Sequence, residues 1–141
     1  MDRITKEKRS DIMSRVRSEN TKPEEIVRRY LFLKGFRYRK NDKRYPGKPD
    51  IVLPKYHTIV FVNGCFWHQH PDCRAAALPQ ANHQYWEEKL KRNVERDKQE
   101  IEQLKEMGWR VIVVWECEIL SKKKREERLA ILIDEIEQGA E

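Results

Sequence analysis

The spacing of apolar residues along the chain predicts an α/β domain that follows a polar amino-terminal arm. Residues 1–20 are mostly basic and polar, and their short helical stripe at Ile12, Met13 and Val16 is too small to form part of a core. We therefore expect residues 1–20 to be an arm on the surface of a single domain that comprises residues 1–141.

The first regular element after the arm is a helix that begins at Thr21 and ends at Gly35. Thr21 and Glu24, three positions later, form a capping box, and glycine favours the left-handed backbone at a helix end. The capping box by itself explains the presence of a glutamate at position 24, without any catalytic role. The buried side of the helix is expected to carry Ile26, Val27, Tyr30, Leu31 and Phe32.

A short alternating segment over residues 36–39 and a hairpin follow this helix. Asp50 begins the first strand of the hairpin, and residues 58–62 form the returning strand. Folding the hairpin about Tyr56 places Asp50 opposite Val62, so a carboxylate is expected at the open end of the hairpin.

An irregular loop over residues 63–80 separates the hairpin from a long helix that is expected to run from Asn82 to Met107. The apolar residues of this helix share one face, and Asp97 fills a gap in their spacing, so its carboxylate is expected to point inward. The stripe consists of Trp86, Leu90, Val94, Ile101 and Leu104.

The rest of the chain predicts one strand and one helix. Residues 110–115 form a continuous apolar run, which favours a central strand covered on both faces, and a final helix is expected over about residues 124–137. The order of helix, three strands, helix, strand and helix predicts an α/β fold with a mixed β-sheet flanked by helices.

Charge and cysteine content narrow the function. The formal net charge is +6 and the isoelectric point is about 9.3, which favours polyanionic partners such as nucleic acid. No apolar run is long enough to span a membrane, and the first residues lack the apolar stretch of a secretory signal, so a cytoplasmic location is expected. In that compartment, three cysteines favour metal binding over disulfides.

The cysteines and histidines cluster closely enough to predict a zinc site. Cys65, His68, His70 and Cys73 fall within nine residues, and Cys117 leaves a strand that can return to them. Zinc takes four such donors in a tetrahedron and would fix an otherwise irregular loop. Five candidates compete for four places, so spacing leaves open which histidine is spare. Three buried free thiols are the alternative.

The carboxylates predict a second site, for magnesium. Asp50 is a suitable first ligand, with the backbone carbonyl of Val62 beside it. A histidine of the loop can act as general base if the inward-facing Asp97 holds its ring. The alternatives are turn chemistry at the start of a strand for Asp50, and an internal salt bridge with an arginine for Asp97.

Two aromatic residues, Phe66 and Trp67, lie in the same loop beside the candidate ligands. Aromatic side chains held on a basic surface can stack on bases or wedge between them. The same two side chains can also simply close the loop onto the core.

Several short motifs, taken together, resemble the Vsr family of very short patch repair mismatch endonucleases. The resemblance covers the chain from about residue 8 to residue 120, in order and at nearly matching spacing. It is carried by residues 46–50 (PGKPD), 63–68 (NGCFWH), 93–97 (NVERD) and 115–117 (WEC), with Met13, Asn20, Thr21 and Glu24.

The resemblance implies a core similar to that of restriction endonucleases and a Mg²⁺-dependent nick on the 5′ side of the thymine in a T·G mismatch. Such mismatches arise by deamination of 5-methylcytosine, and the nick initiates very short patch repair. The resemblance also implies that Asp50 and the Val62 carbonyl bind Mg²⁺. His68 would then be the general base, Asp97 its supporting carboxylate, and Glu24 would act through water near the metal.

The resemblance further implies a structural Zn²⁺ ion, which leaves His68 as the free histidine. The implied zinc ligands are Cys65, His70, Cys73 and Cys117. The implied DNA contacts are Phe66, Trp67 and Trp86 as a wedge from the major groove, Met13 on the minor-groove side, and Asn63. Asn63 is a departure from the family, because its best-known members have a histidine at this position.

The implied partner is double-stranded DNA with a T·G mismatch, with co-operation from mismatch repair proteins and a cytosine DNA methyltransferase, and no membrane. Two other functions remain open. One is a restriction-like nuclease with another DNA target, and the other is a non-catalytic zinc-dependent DNA-binding module. The combination of Asp50, His68 and Asp97 argues against the second, because binding alone requires none of them.

Overall fold

The computed structural model describes residues 20–139, which form a four-stranded sheet with helices packed against it. Met13 and the rest of the predicted arm before Asn20 lie outside the described residues. The helices are α1 (Lys22–Leu33), α2 (His83–Glu106), α3 (Glu116–Leu120) and α4 (Lys122–Glu137). The strands are β1 (Arg39–Lys40), β2 (Ile51–Leu53), β3 (Thr58–Asn63) and β4 (Arg110–Trp115).

The sheet is mixed, which confirms the predicted fold class. Its order is β1-β2-β3-β4, with antiparallel pairing except between β3 and β4, which are parallel. The prediction that residues 110–115 form a central strand is wrong, because β4 is an edge of the sheet in the described part of the chain. Its apolar run is explained by packing on both faces instead: Ile112 and Val114 are buried in one core, and Val111 packs against the other.

Alternate side chains of the strands enter two separate cores, as the two-residue period of a strand requires. One core joins α1, α3 and α4 to the sheet and includes Val60 and Val62 of β3. The other core packs α2 on the opposite face and includes Ile59, Phe61 and the buried Leu104. Because β2 runs antiparallel to β3 and β4 runs parallel to it, the start of β2 and the ends of β3 and β4 lie at the same end of the sheet.

The hairpin register differs by one residue from the prediction. Leu53 pairs with Thr58 and Ile51 pairs with Val60, so the extension of this ladder sets Asp50 across from Phe61 rather than Val62. The shift occurs because Pro54–Tyr56 form a single 3-10 turn and His57 adopts a left-handed conformation with φ of 49°. The carboxylate of Asp50 nevertheless reaches the next residue, as described below.

Several boundaries and exposures also differ from expectation. Of the alternating segment 36–39, only Arg39 joins the sheet, as the first residue of β1, and the short helix α3 was not expected. Phe32 is 52% exposed rather than buried and lies beneath the guanidinium of Arg37, while Val94 is 37% exposed. Among residues 20–139, no helix combines the length and the apolar character that crossing a membrane demands.

Candidate active site and metal centre

Glu24 is held by the first turn of α1 but is buried more deeply than a capping residue needs to be. Its Oε2 accepts hydrogen bonds from the backbone N–H of Thr21 at 2.8 Å and from the Thr21 hydroxyl at 2.7 Å, so the predicted capping box is confirmed. The side chain is only 2% exposed, and its Oε1 has no hydrogen-bond partner. The capping box therefore explains one oxygen of Glu24 and leaves the other available.

Asp50 lies next to Glu24 at the start of β2. Its Oδ2 accepts a hydrogen bond from the backbone N–H of Val62 at 2.6 Å, which fixes the carboxylate against the end of β3. Burial, and then the hydrogen-bonding contact and the charge of Glu24, raise the pKa of Asp50 to about 9. The Val62 hydrogen bond and the charge of Arg28 act in the opposite direction.

These two carboxyl groups fit a hard divalent cation. Two acids crowded into a partly dry site repel each other when both are ionised, and a bound cation removes that cost. The unpartnered Oε1 of Glu24 supplies a free oxygen at the same place. The Val62 backbone is in position beside Asp50 through its N–H, while the role of its carbonyl stays a prediction.

His68 and Asp97 form a close pair on the other wall of the site. The Nδ1 atom of His68 lies 2.6 Å from Oδ2 of Asp97, and the two side chains are 31% and 20% exposed. A carboxylate can only accept, so in neutral His68 the Nδ1 atom carries the proton and Nε2 is left as the basic atom. Asp97 therefore points toward the loop, and within residues 20–139 its carboxylate pairs with His68 rather than with an arginine.

One cleft of about 580 Å³ brings these groups together. Glu24, Asp50 and His68 all lie on its wall, whereas Asp97 stands behind His68. The remaining predicted residues on the wall are Val62, Asn63, Phe66 and Trp67. The two acids of this cleft come from chain segments before the end of β3, whereas His68 comes from the loop that follows β3. That loop therefore completes the site.

The second group of donors lies behind this cleft, where the loop after β3 meets the end of β4. The ligand atoms of Cys65, His70, Cys73 and Cys117 all lie within 4.8 Å of one another. His70 Nδ1 is 3.7 Å from the Cys65 sulfur and 3.5 Å from the Cys117 sulfur. The His70 ring stacks on Trp115 with centroids 4.2 Å apart, which turns Nδ1 toward the thiols.

This group could hold a metal ion, and its spacing suits zinc. Tetrahedral zinc with ordinary bond lengths to sulfur and nitrogen separates neighbouring donors by about 3.5–3.8 Å, and both measured distances from His70 agree with that value. Burial raises the pKa of the Cys65 thiol to about 12, whereas the Ala75 backbone N–H lowers the pKa of Cys73. A bound dication would offset the cost of a buried Cys65 thiolate.

The aromatic residues form a compact cluster at the rim of the cleft. Phe66, Trp67 and Trp86 contact one another edge to face, with ring centroids 5.2–5.9 Å apart. Trp86 is 8% exposed, and the Nζ atom of Lys89 lies within 6 Å of the Trp67, Trp86 and Tyr85 rings. The backbone carbonyl of Trp67 also accepts a hydrogen bond from the Asn93 side chain at 3.2 Å. The cluster is thus fastened to α2 by packing, a cation–π contact and a hydrogen bond.

Sequence reasoning missed several polar residues of the cleft. Asn41, Arg96 and Glu116 lie on its wall, and Arg28 approaches Glu24 from inside α1. For Arg28 a signal was present, since it falls four positions after Glu24 and on the same helical face as Val27 and Leu31. Asn41 and Glu116 carry no such signal, because only the pairing of the strands brings them to the cleft at this end of the sheet.

Comparison with known proteins shows that the chain is similar to a mismatch endonuclease and to nicking enzymes. The family model described as DNA mismatch endonuclease Vsr matches residues 1–75. A type II nicking enzyme of Neisseria meningitidis serogroup A, V.NmeAIP, is 52% identical over 135 residues, which cover 96% of each chain. A type II nicking enzyme of Xanthomonas oryzae pv. oryzae, V.XorIIP, is 44% identical over 94% of this chain and 97% of its own length. The DNA mismatch endonuclease Vsr of Escherichia coli is 38% identical over 82% of this chain and 74% of its own.

A mixed sheet between helices, with carboxylates and a His–Asp pair at one edge, defines a DNA endonuclease domain of the restriction-endonuclease-like class. Within that class, the chain belongs to the Vsr family.

Proposed function

We propose that this protein is a Mg²⁺-dependent endonuclease that nicks one strand of duplex DNA on the 5′ side of the thymine in a T·G mismatch. The observation that carries the proposal is the cleft in which Glu24, Asp50 and His68 share one wall with Phe66 and Trp67. Metal-binding carboxylates, a general base and aromatic side chains for unstacked bases are the three parts that such a nick requires.

The comparisons support the substrate at two levels. The E. coli relative bears the name of a mismatch endonuclease, and the two relatives with higher identity bear the names of nicking enzymes. Cutting a single strand agrees with both names. The T·G mismatch produced by deamination of 5-methylcytosine is the finer part of the proposal.

In the proposed reaction, His68 removes a proton from the attacking water. The geometry favours this role, because Asp97 engages Nδ1 and leaves Nε2 to accept the proton. Asp97 also stabilises the imidazolium that results, as a carboxylate behind a catalytic histidine does. The water oxygen then bonds to phosphorus as the bond to the 3′ oxygen on the opposite side breaks. The 3′ oxygen takes a proton from solvent, so the nick has a 5′ phosphate and a 3′ hydroxyl.

Asp50 and Glu24 hold the magnesium ion, with the Val62 carbonyl as a further ligand. When bound, the ion stabilises the charge that develops on the phosphate oxygens and on the leaving oxygen. Asp50 is a direct ligand in this proposal. Glu24 acts through a water on the ion: the capping box occupies its Oε2, and its Oε1 remains to accept a hydrogen bond from that water.

The other assignments concern structure and DNA binding. Cys65, His70, Cys73 and Cys117 hold a structural Zn²⁺ ion that fixes the loop carrying His68. Phe66, Trp67 and Trp86 form a wedge in the duplex from the major groove, and the arm with Met13 contacts the minor-groove side. Asn63, which is 8% exposed at the end of β3, lies on the cleft wall beside the proposed path of DNA.

The test is a single-turnover nicking assay with zinc-loaded protein and labelled duplexes. The duplexes carry T·G, T·A or C·G at one position within a mixed pool of flanking sequences, each with and without magnesium. We expect nicking of the T·G duplex 5′ of the thymine, only with magnesium, and at least about tenfold faster than on either paired duplex.

Two outcomes would contradict the proposal in different ways. Equal nicking of paired and mismatched duplexes would favour a nuclease with another DNA target. Binding without cleavage under all metal conditions would favour a DNA-binding module.

A further inference from the structure

Arg28 is the buried charged residue that the proposed mechanism does not use. It lies on the inner face of α1 and is only 6% exposed, which is rare for an arginine unless it is paired. Its nearest acid is Glu24, with Nη1 of Arg28 3.6 Å from Oε1 of Glu24. Arg29, the next residue in sequence, is exposed and so provides a natural comparison.

The contact between Arg28 and Glu24 is an ion pair without a hydrogen bond. Both atoms, Nη1 and Oε1, are buried and lack any hydrogen-bond partner. A distance of 3.6 Å is too long for a charge-assisted hydrogen bond, which is typically about 2.7–2.9 Å. Arg28 thus stabilises the charge of Glu24 and leaves Oε1 free for another ligand.

The other end of the guanidinium fixes its position. Nη2 of Arg28 donates a hydrogen bond to Oδ1 of Asn20 at 2.9 Å, and the Asn41 side chain donates to the same oxygen at 3.3 Å. The backbone N–H of Asn41 donates in turn to the Asp50 carbonyl at 3.3 Å. Asn20 is therefore linked through Arg28 to the carboxylate of Glu24, and through the side chain and backbone of Asn41 to the backbone of Asp50.

We propose that Arg28 is a positioning residue of the active site. Its guanidinium supplies the positive charge beside Glu24 when no divalent ion is bound, and it holds Glu24 in place relative to Asn20, where the arm joins the domain. This inference rests on the proposed function, because it assumes that Glu24 and Asp50 hold magnesium. When magnesium is bound, the ion and Arg28 together balance the negative charge of Glu24. Without magnesium, Arg28 is the cation that balances it.

The experiment compares melting temperatures of zinc-loaded protein at one magnesium concentration and without magnesium. Magnesium is removed by dialysis, because a chelator would also strip the Cys/His cluster. Arg28→Met is compared with Arg29→Met, the exposed control, and with Arg28→Lys, which keeps the charge. Asp50→Asn reports whether the magnesium effect comes from the proposed site.

Without magnesium, Arg28→Met should lower the melting temperature by on the order of 10 °C, since it leaves a buried carboxylate unpaired. Magnesium should raise the melting temperature of Arg28→Met more than that of the wild type, because the ion then relieves the unpaired charge. Arg28→Lys should recover part of the loss, and Arg29→Met should match the wild type under both conditions.

A loss in Arg28→Met that is the same with and without magnesium would overturn the inference, because a merely structural arginine gives that result. If magnesium stabilises the wild type only as much as it stabilises Asp50→Asn, the magnesium site itself is wrong and the inference falls with it. A double-mutant cycle gives an independent check. The melting loss from Arg28→Met should shrink by at least half in a Glu24→Gln background, and an undiminished loss would also overturn the proposal.

Discussion

The two candidate metal sites lie at the same end of the sheet, but they differ in how complete their donor sets are. Cys65, His70, Cys73 and Cys117 converge as four donors, which is the full number for tetrahedral zinc. Asp50 and Glu24 supply only two carboxyl groups, on the wall of an open cleft. A magnesium ion held there has places left for water and for phosphate oxygens.

Under the proposed assignments, this difference separates a site that stabilises the fold from a site that acts on a substrate. A closed donor set leaves its metal no open coordination position, so the free energy of metal binding stabilises the ordered loop. An incomplete set on a cleft leaves positions for the reacting groups. The loop after β3 joins the two, since it carries zinc-site donors as well as His68, which faces the cleft.

The largest effect is expected from opening the closed site. Cys117→Ser removes the donor on α3, directly after β4, so the chain should lose its stoichiometric zinc and melt well below the wild type. Structural zinc contributes about 10 kcal/mol in small zinc-dependent domains. Metal analysis and thermal melting measure both effects, with Asp72→Asn, an exposed acid of the same loop, as the control. Wild-type protein purified without zinc would contradict the assignment.

The open site should respond in the opposite manner. Asp50→Asn should keep its zinc, its fold and most of its DNA affinity, but nick at least about 10³-fold more slowly because it cannot hold the catalytic ion. Single-turnover nicking and a binding titration on the same T·G duplex measure the two properties. Asp134→Asn, an exposed acid on α4, is the control. Near-normal nicking by Asp50→Asn would remove Asp50 from the mechanism.

His68 and His70 allow the comparison to be made within three residues of the chain. His68→Ala should keep zinc and melt normally but lose about 10²–10⁴-fold in nicking rate, the usual contribution of a general base. His70→Ala should lose zinc and melt earlier. His83→Ala, at an exposed position on α2, is the control for both. If zinc leaves with His68 and stays with the His70 variant, the two roles are exchanged.

The local parts of these sites could be predicted from sequence because each follows from short-range rules. The capping box at Glu24, the position of Asp50 at the start of a strand, and the gap that Asp97 fills in the stripe of α2 all depend on neighbours within a few residues. The choice of His68 as the free histidine came from family resemblance, since spacing gave no preference.

What could not be predicted depends on long-range pairing or on the chemistry of charged groups. The edge position of β4 follows from the strand order of the sheet, and a run of apolar residues gives no information about strand order. The one-residue register shift arises from the 3-10 turn at Pro54–Tyr56. Arg28 was missed because an arginine on a helix normally suggests a solvated face, although its spacing of four residues from Glu24 puts both on one face of α1.

The smallest effect should come from substituting a cation on the wall of the open site. In the proposed function a DNA phosphate completes that site, so a cation there is expected to contact phosphate. Arg96 is an exposed residue of the cleft wall; its Nη2 donates to Asn93 Oδ1 at 2.9 Å, and its Nε is 3.9 Å from Glu100. Its remaining donors can contact a phosphate. Arg96→Gln should weaken binding to paired and mismatched duplexes equally, by about tenfold or less, and reduce the slope of log affinity against log salt by about one. Arg92→Gln, one helical turn earlier and outside the cleft wall, should leave that slope unchanged. A loss confined to the T·G duplex would instead make Arg96 a contact to the mismatch, and an unchanged salt slope would show that it touches no phosphate.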